Sequence, residues 1–299
     1  MNGILVIDKP AGLTSHDVVN RVRRILGQKS VGHLGTLDPS ATGVLPIVVG
    51  NLTRLAQFYT QSEKSYEGVI RFGFATDTYD ADGEPASAAQ PVTLDLQQLR
   101  EATAAFQGPI QQMPPPFSAK KIAGVPAYKL ARKKQQVEMK PVEVEIKEFA
   151  VLAADGDCLC FRARVSSGTY MRSVAHDLGQ KIGCGAHLKS LRRTAVAEFR
   201  IEDAHSLEQL EMAARQGSAE GLAVHPRMLL PKFPCVTAND ESATLIRHGR
   251  AVNLPEMSKA SRVKIFYGQS NLIAIGTRVA GTLFHPEIVL RSSIPEEAH

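Results

Sequence analysis

The stretch that organises this chain is VGHLGTLDPSATGVLPIVVG, Val31 to Gly50. It places one carboxylate, Asp38, between a glycine-rich turn and Pro39, and an apolar run follows at once. Glycine permits backbone conformations that other residues avoid, and proline restricts the chain at its own position. Because Gly43 comes so soon after Pro39, the segment predicts a tight, rigid loop that presents Asp38.

Two other interpretations of this loop have to be weighed. An aspartate before a proline commonly accepts hydrogen bonds from its own backbone as an Asx-turn, and Asp38 alone does not exclude that role. A phosphate-binding loop is the second alternative. It fails because the stretch contains neither a GxxxxGK[ST] nor a GxGxxG pattern.

The composition of the chain is that of a globular protein. Of its 299 residues 43% are hydrophobic and 22% are charged. The first ten residues lack the features of a secretory signal, and no apolar run approaches the roughly 20 residues that span a bilayer. Four cysteines without a CxxC pair indicate a reduced, cytoplasmic protein without structural zinc.

Hydrophobic periodicity predicts the elements around the central stretch. Segment 2–10 is typical of a buried strand, and segment 14–27 of a helix capped by Thr14 or Ser15 and stopped by Gly27. Residues 51–61 predict a helix capped by Asn51. Further predicted elements are a strand at 65–76, a helix at about 95–106, a hairpin at 142–166, a helix from 168 to 183 and a capping-box helix from Ser206.

The proline-rich segment from Gly108 to Pro126 predicts no regular structure, because five prolines and two glycines interrupt it. The composition changes after about residue 232. The remainder contains one short helix and three strand-like runs separated by tight turns, which indicates a small, mostly β unit. We therefore expect two domains, residues 1–232 and residues 233–299.

The formal net charge is +5 with a pI near 9.0, a modest basic excess. Its distribution is more informative than its size, because four clusters of basic residues recur along the chain. Any single cluster is most simply a solvated helix face, whereas four together favour a polyanionic partner such as nucleic acid. The clusters are Arg21, Arg23 and Arg24; Lys120 and Lys121; Arg132, Lys133 and Lys134; and Arg192 and Arg193.

A lone carboxylate needs partners for chemistry, and the sequence offers two. Arg172 stands at the start of a predicted helix, just after a glycine turn, and Tyr66 stands at the start of a predicted strand. Each has an ordinary alternative, the arginine as a surface ion pair and the tyrosine as a core ring. Spacing alone does not bring these two residues to Asp38.

Several motifs, in order, resemble the TruB family of tRNA pseudouridine synthases, the enzymes that make pseudouridine 55 in the T loop. The resemblance runs from about Ile4 to about Leu210. The motifs are DKPAGLTSHDVVNRVR, VGHLGTLDPSATGVLP, KSYEG, TDTYDADGE, QMPPPFSAKKIAGVPAYKLAR, SSGTYMRSVAHDLG and HLKSLRRTAVAEF. The tail, with IRHGRAV before three strands, is weakly similar to a PUA-type RNA-binding barrel.

The resemblance implies an α+β fold, with a mixed, mostly antiparallel central sheet flanked by helices and a small C-terminal β-rich, PUA-like domain. It implies that Asp38 is the catalytic carboxylate, that Arg172 pairs with it, and that Tyr66 stacks on the extruded uracil. It also implies four substrate-binding residues. These are His33, which enters the space vacated in the T loop; Tyr170 and Leu191, which line the uracil pocket; and Asp80, which contacts the substrate.

The resemblance further implies that segment 112–121 is a lid over the RNA, that tRNA is the partner, and that no metal or other cofactor is required. A monomer that uses neither guide RNA nor protein partner is expected. Two alternatives remain: a non-catalytic RNA-binding factor that assists tRNA folding, and a guide-RNA-dependent relative. A pure binder has no use for a carboxylate facing phosphates, and the Asp38 motif resembles the stand-alone type.

Overall fold

The computed structural model describes residues 1–86, 88–115, 121–122, 125–126 and 140–290. Two sheets account for most of the strands. The nine-stranded sheet comprises β1 (Gly3–Lys9), β2 (Val31–His33), β3 (Thr42–Val49), β4 (Lys64–Phe72), β5 (Gly108–Gln112), β8 (Val142–Asp155), β9 (Cys158–Val165), β10 (Ala186–Val196) and β11 (Phe199–Arg200). The five-stranded sheet comprises β12 (Cys235–Ala238), β13 (Val252–Asn253), β14 (Arg262–Tyr267), β15 (Asn271–Ala280) and β16 (Leu283–Val289).

The larger sheet has the strand order β1-β3-β10-β4-β9-β8-β5, with β2 paired to β3 and β11 to β10. Every pair in it is antiparallel except β10 with β3, which is parallel. The five described α-helices are α1 (Ser15–Leu26), α2 (Leu96–Ala104), α3 (Met171–Ile182), α4 (Leu207–Arg215) and α5 (Asp240–Arg247). The expected α+β fold with a mixed, mostly antiparallel sheet is confirmed.

Helix ends agree closely with the local sequence signals. Thr14 and Asp17 form a capping box at the start of α1, and Gly27 ends that helix in the left-handed conformation. The helix predicted with Asn51 as its cap differs from the prediction in its type and its cap. It is a 3-10 helix, Gly50–Tyr59, without a side-chain cap, and the Asn51 N–H instead donates to the Asn2 side chain at 2.8 Å.

The expectation of no regular structure between residues 108 and 126 is wrong for its first part. Residues 108–112 form β5, which pairs antiparallel with β8 at the edge of the sheet. Pro109 is tolerated there because an edge strand leaves one row of N–H groups unpaired in any case. Two short strands, β6 (Lys121–Ile122) and β7 (Val125–Pro126), pair with each other. The other residues of the expected lid beyond 115, with the basic residues Lys120 and 132–134, lie outside the described residues.

The C-terminal sheet shares a hydrophobic cluster with the larger one. Phe266 and Ile275 of the smaller sheet belong to the same cluster as Tyr59 and Phe199. The Glu198 carboxylate accepts hydrogen bonds from the Tyr59 hydroxyl at 2.6 Å and from the Leu230 N–H of the connecting segment at 2.9 Å. The domain boundary at residue 232 stays a prediction, since apolar packing is continuous across the connection.

Two further observations complete the fold. All four cysteines are unpaired, as the spacing predicted. Among the helices of the described residues, none combines the length and the apolar character that crossing a membrane requires.

Candidate active site

A cleft of about 580 Å³ opens beside the loop that joins β2 to β3. Three parts of the chain build it: that loop, the first residues of β4, and the turn before α3 with the start of that helix. Residues from these parts that line the cleft are Gly35, Thr36, Leu37, Asp38, Lys64, Tyr66, Tyr170, Met171 and Arg172, joined by Leu191 from β10. The three predicted catalytic residues, far apart in sequence, therefore share one cavity.

The Asp38 loop is held rigidly by the segment before α1. The Lys9 ammonium donates to three backbone carbonyls, including that of Pro39 at 3.0 Å. The Ser15 hydroxyl both accepts from the Leu37 N–H, at 2.8 Å, and donates to the Leu37 carbonyl, at 3.0 Å. Because the residues on either side of Asp38 are fixed in this way, its side chain projects from a constrained backbone.

The Asp38 carboxylate pairs with Arg172. Arg172 Nε lies 3.0 Å from Asp38 Oδ2, and the arginine side chain is only 6% exposed whereas the aspartate is 40% exposed. The alternative of a surface ion pair for Arg172 is therefore excluded. The alternative of an Asx-turn for Asp38 loses its support as well, because the carboxylate is directed at a guanidinium on another element.

Asp80 lies behind Arg172 and contacts it from the other side. Arg172 Nη1 is 3.5 Å from Asp80 Oδ2 and donates to the Thr78 carbonyl at 3.2 Å. Asp80 itself accepts from the Thr78 hydroxyl at 2.6 Å and from the Asp82 N–H at 3.1 Å. Burial raises the pKa of Asp80, while these hydrogen bonds and the guanidinium oppose the rise. Asp80 is buried and does not line the main cleft, although it borders a small adjoining pocket with Asp38.

Tyr66 belongs both to the core and to the cleft. Its ring is buried in the cluster that includes Ile70, Phe161 and Val174, and it also lines the cavity. The interpretation as a core ring and the functional one are thus compatible. Burial raises the pKa of the Tyr66 phenol. The charge of the Arg193 guanidinium opposes this rise, and the Asp38 carboxylate adds to it.

The predicted uracil-pocket residues, Tyr170 and Leu191, both line the cleft. Tyr170 is held by Gln112 of β5, whose side-chain amide accepts from the Tyr170 N–H at 2.8 Å and donates to its carbonyl at 3.1 Å. Gln112 is fully buried. The sequence did not single it out, and its place in a segment expected to be irregular concealed the role.

His33, like Asp80, is a predicted substrate residue that the structure does not place in the lining of the main cleft. Its Nδ1 accepts the Gly35 N–H at 3.3 Å, and burial together with the charges of Arg193 and His16 lowers its pKa. The imidazole is therefore neutral near neutral pH, next to the loop that carries Asp38. It lies beside the cleft rather than in it.

The basic clusters are less free than the sequence indicated. Arg21 pairs with Glu208 and Glu211 of α4, at 3.1 and 3.7 Å. Arg192 pairs with Asp8 at 2.8 Å. Arg193 is fully buried, so its assignment to a surface cluster is wrong. Charge counted along the sequence overestimates what this part of the surface presents to a polyanion.

No group of three or more His, Cys, Asp or Glu side chains within the described part of the chain is arranged to hold a metal ion. The side chains of the cleft nevertheless offer a chemistry of their own. A carboxylate paired with a buried guanidinium, a phenol on the same cavity wall and an apolar floor can bind a planar base. They can also act on the sugar or base by proton transfer or nucleophilic attack.

Comparison with known proteins agrees with this chemistry. Residues 23–171 match the model described as TruB family pseudouridylate synthase (N terminal domain), and residues 172–231 match the tRNA pseudouridylate synthase B C-terminal domain. The fold and the cleft thus define a pseudouridine synthase, an isomerase that rebuilds the bond between uracil and ribose. The chain belongs to the TruB family.

Individual relatives support this assignment. The chain is 50% identical over 293 residues to a tRNA pseudouridine synthase B of Solibacter usitatus, covering 97% of this chain and all of the relative. It is 41% identical over 279 residues to the Geobacter sulfurreducens protein of that name, covering 93% and 89%. A solved archaeal box H/ACA Nop10–Cbf5 complex has the same fold, with a TM-score of 0.71, 25% identity and coverage of 99% and 88%.

Proposed function

We propose that this enzyme acts on tRNA and converts the T-loop uridine, position 55, to pseudouridine. The relatives that carry the name tRNA pseudouridine synthase B match almost the whole chain, which supports tRNA as the substrate. The observation that carries the proposal is the 3.0 Å contact between Arg172 and Asp38 in a cleft that Tyr66 also lines.

The target nucleotide has to leave its stack before any group in the cleft can reach it. Flipping costs a few kcal/mol, which binding in a shaped pocket offsets. The cleft of about 580 Å³ lies in the range of small-molecule pockets. His33, neutral and adjacent to the loop, is suited to enter the space that the base leaves.

Asp38 acts as the ionised carboxylate of the reaction. Isomerisation breaks the N1–C1′ bond, turns the uracil and joins C5 to C1′, so a group at the sugar has to attack or remove a proton. Arg172 holds that carboxylate in position, because its own place is set by burial and by contacts on its far side. A planar guanidinium can contact Asp38 and Asp80 at once.

The remaining residues hold the base and its surroundings. Tyr66 stacks on the uracil, a contact worth about 1–3 kcal/mol in comparable sites, and its hydroxyl takes part in removal of the C5 proton. Tyr170 and Leu191 line the pocket for the base. We assign Asp80 to orienting Arg172 rather than to direct substrate contact, because its carboxylate faces Arg172, Thr78 and Asp82.

We further propose that the enzyme works alone, as a cytoplasmic monomer without guide RNA, protein partner or cofactor, and that residues 233–299 form a PUA-like RNA-binding domain. The stand-alone mode is supported by the match over almost the whole chain to bacterial relatives named tRNA pseudouridine synthase B. The structural neighbours occur with further proteins such as Nop10 and Gar1, so the solution mass of this protein with and without tRNA tests the difference.

The central experiment uses a T-arm hairpin carrying tritium at C5 of its uridines. Wild type is expected to release tritium and to form pseudouridine at the T-loop position, whereas Asp38→Asn binds the hairpin comparably and releases none. Asp157→Asn is the matched control, because Asp157 is 38% exposed and also pairs with an arginine, Arg71, at 2.7 Å. It is expected to turn over at the wild-type rate.

Two results would contradict the proposal. Full turnover by Asp38→Asn would remove the carboxylate from the chemistry. Wild-type protein that binds the hairpin without releasing tritium would instead identify an RNA-binding folding factor.

A further inference from the structure

Arg193 is fully buried in the middle of the large sheet. Its strand, β10, lies between β4 and β3, and the register places Arg193 opposite Tyr66 on one side and opposite Gly43 on the other. The residue therefore connects the strand that carries the phenol with the strand that follows the Asp38 loop. An arginine at the centre of a sheet needs an explanation, since charged side chains are rarely buried without a partner.

The guanidinium holds the Asp38 loop at both ends. Arg193 Nη2 donates to the Gly35 carbonyl at 3.0 Å and Nη1 to the Thr36 carbonyl at 3.0 Å, both before Asp38. Arg193 Nε donates to the Val44 carbonyl at 2.8 Å, beyond the loop. Three bonds from one rigid, planar group fix the separation of the two ends of the loop.

The acceptors of this cation are neutral. Among the described residues, no carboxylate lies within ion-pairing distance of the Arg193 guanidinium, and the acceptors of its hydrogen bonds are backbone carbonyls. Tyr66 lies directly opposite it on β4. Burial lowers the pKa values of Lys9, His33 and Lys64, and the charge of Arg193 lowers them further. Keeping a charge buried without a counter-ion is costly, so it is expected to serve a purpose.

We propose that Arg193 is a positioning residue that fixes the Asp38 loop beside Tyr66 and supplies the positive charge that the Tyr66 oxygen needs when it accepts the C5 proton. The inference rests on the proposed function. It extends that function by naming a buried group that coordinates the two catalytic side chains without touching the substrate.

The proton balance of the assisted step is simple. The Tyr66 phenol first releases its proton to water in the open cleft. Burial and the Asp38 charge oppose this release by raising the pKa of the phenol, and the adjacent Arg193 guanidinium favours it by stabilising the oxyanion. After C5 has joined C1′, the C5–H bond breaks, its proton goes to the Tyr66 oxygen, and its electron pair restores the C5–C6 double bond. N1, free of the sugar, takes a proton from water.

The test compares the enzyme variants Arg193→Lys, Arg193→Met and Tyr66→Phe. Their substrates are T-arm hairpins that carry hydrogen or deuterium at C5 of the target uridine. Arg193→Met is expected to lower kcat on the order of 10²-fold, the scale of a lost general base. Hairpin affinity is expected to stay within about 3-fold, a change of less than about 0.7 kcal/mol. The kinetic isotope effect at C5 is expected to increase, because removal of the C5 proton then limits the rate. The pH at which activity rises is expected to be higher than in wild type.

Arg193→Lys keeps the charge but loses the planar guanidinium. Compared with Arg193→Met, it is expected to have a pH profile closer to that of wild type but a kcat that is nearly as low. The double variant Arg193→Met with Tyr66→Phe should be no slower than Tyr66→Phe alone, because both changes impair the same step, removal of the C5 proton. A lower kcat with unchanged isotope effect and pH profile, or additive losses, would overturn the inference and leave a structural role only.

A second measurement does not require an Arg193 variant to fold. In wild-type protein the guanidinium N–H resonances of Arg193 are expected to exchange slowly, and Tyr66→Phe is expected to shift them. Unchanged resonances would disprove the contact on which the inference depends. Wild-type turnover on the same hairpin is measured first, so that failure of the proposed function is recognised separately from failure of this inference.

Discussion

Arg172 Nε contacts Asp38 Oδ2 at 3.0 Å, with the arginine buried and the aspartate open to the cleft. The cation is thus part of the protein interior while the anion is available to a ligand. A carboxylate in this arrangement is held by a fixed cation without being shielded from an incoming nucleotide. The rest of the site supports this one pair, and its geometry leads to four predictions.

Replacing Arg172 by lysine is expected to lower kcat by about 10²-fold or more, although the charge is kept. An ammonium cannot contact Asp38 and Asp80 simultaneously in the geometry of a planar fork. Single-turnover tritium release measures the effect, and hairpin affinity is measured in parallel. Arg262→Lys is the control, because Arg262 pairs with Glu287 at 2.7 Å on the C-terminal sheet; a comparable loss in both variants would argue against a specific role for Arg172.

Asp80→Asn is expected to reduce kcat by up to about 10²-fold, because a small misplacement of Arg172 moves Asp38 out of line. Burial raises the pKa of Asp80, so its carboxylate becomes neutral on acidification sooner than an ordinary aspartate does. Wild-type activity should therefore fall on the acidic side in a limb that Asp80→Asn lacks. Asp203→Asn, at an exposed position away from the site, should keep the wild-type profile; an identical acidic limb in Asp80→Asn would contradict the assignment.

Lys64 is expected to make stability depend on alkaline pH. Burial and the charge of Arg193 lower its pKa to about 8 from 10.5. Between these values the unfolded chain binds more protons than the folded one, so the free energy of unfolding contributed by Lys64 rises with pH. Lys64→Met should reduce that rise in denaturant titrations across this range, whereas Lys259→Met, at an exposed position, should not. Equal slopes for both variants would be inconsistent with the burial of Lys64.

Gly43→Ala is expected to destabilise the fold by about 2–5 kcal/mol. Gly43 has a φ of 101°, and a Cβ there would lie 2.2 Å from the Arg193 carbonyl oxygen in the neighbouring strand. Gly12→Ala separates strain from crowding, because Gly12 has a φ of 83° but a Cβ added to it would meet nothing within 4 Å. Its cost should be about 1–2 kcal/mol by thermal or denaturant unfolding. Equal losses would show that close strand packing at Gly43 is unimportant.

Local signals predicted the regular elements well. The helix cap at Thr14, the capping box at Ser206 and the helix end at Gly27 all occur where the sequence indicated. These features depend on contacts within a few residues, so the sequence contains their causes in full. The Asn51 cap failed because the Asn51 N–H found a partner, Asn2, distant in sequence.

Long-range pairing explains the two larger errors. Residues 108–112 read as irregular because prolines dominate the region, yet pairing with β8 makes them a strand. Arg193 read as part of a basic surface cluster because charge is visible in a sequence and burial is not. Three carbonyls, two from the Asp38 loop and one from β3, accept hydrogen bonds from its guanidinium.

The order of the amino acids was enough to indicate most of the strands and helices, the constrained turn that carries Asp38 and, through motif resemblance, the residues that matter. Only the tertiary structure shows that Arg172 is buried between Asp38 and Asp80 and that His33 lies beside the cleft. It also shows that Arg193 holds the Asp38 loop from the interior of the sheet. Secondary structure depends largely on residues close in sequence, whereas the role of a charged side chain depends on the residues that the folded sheet places around it.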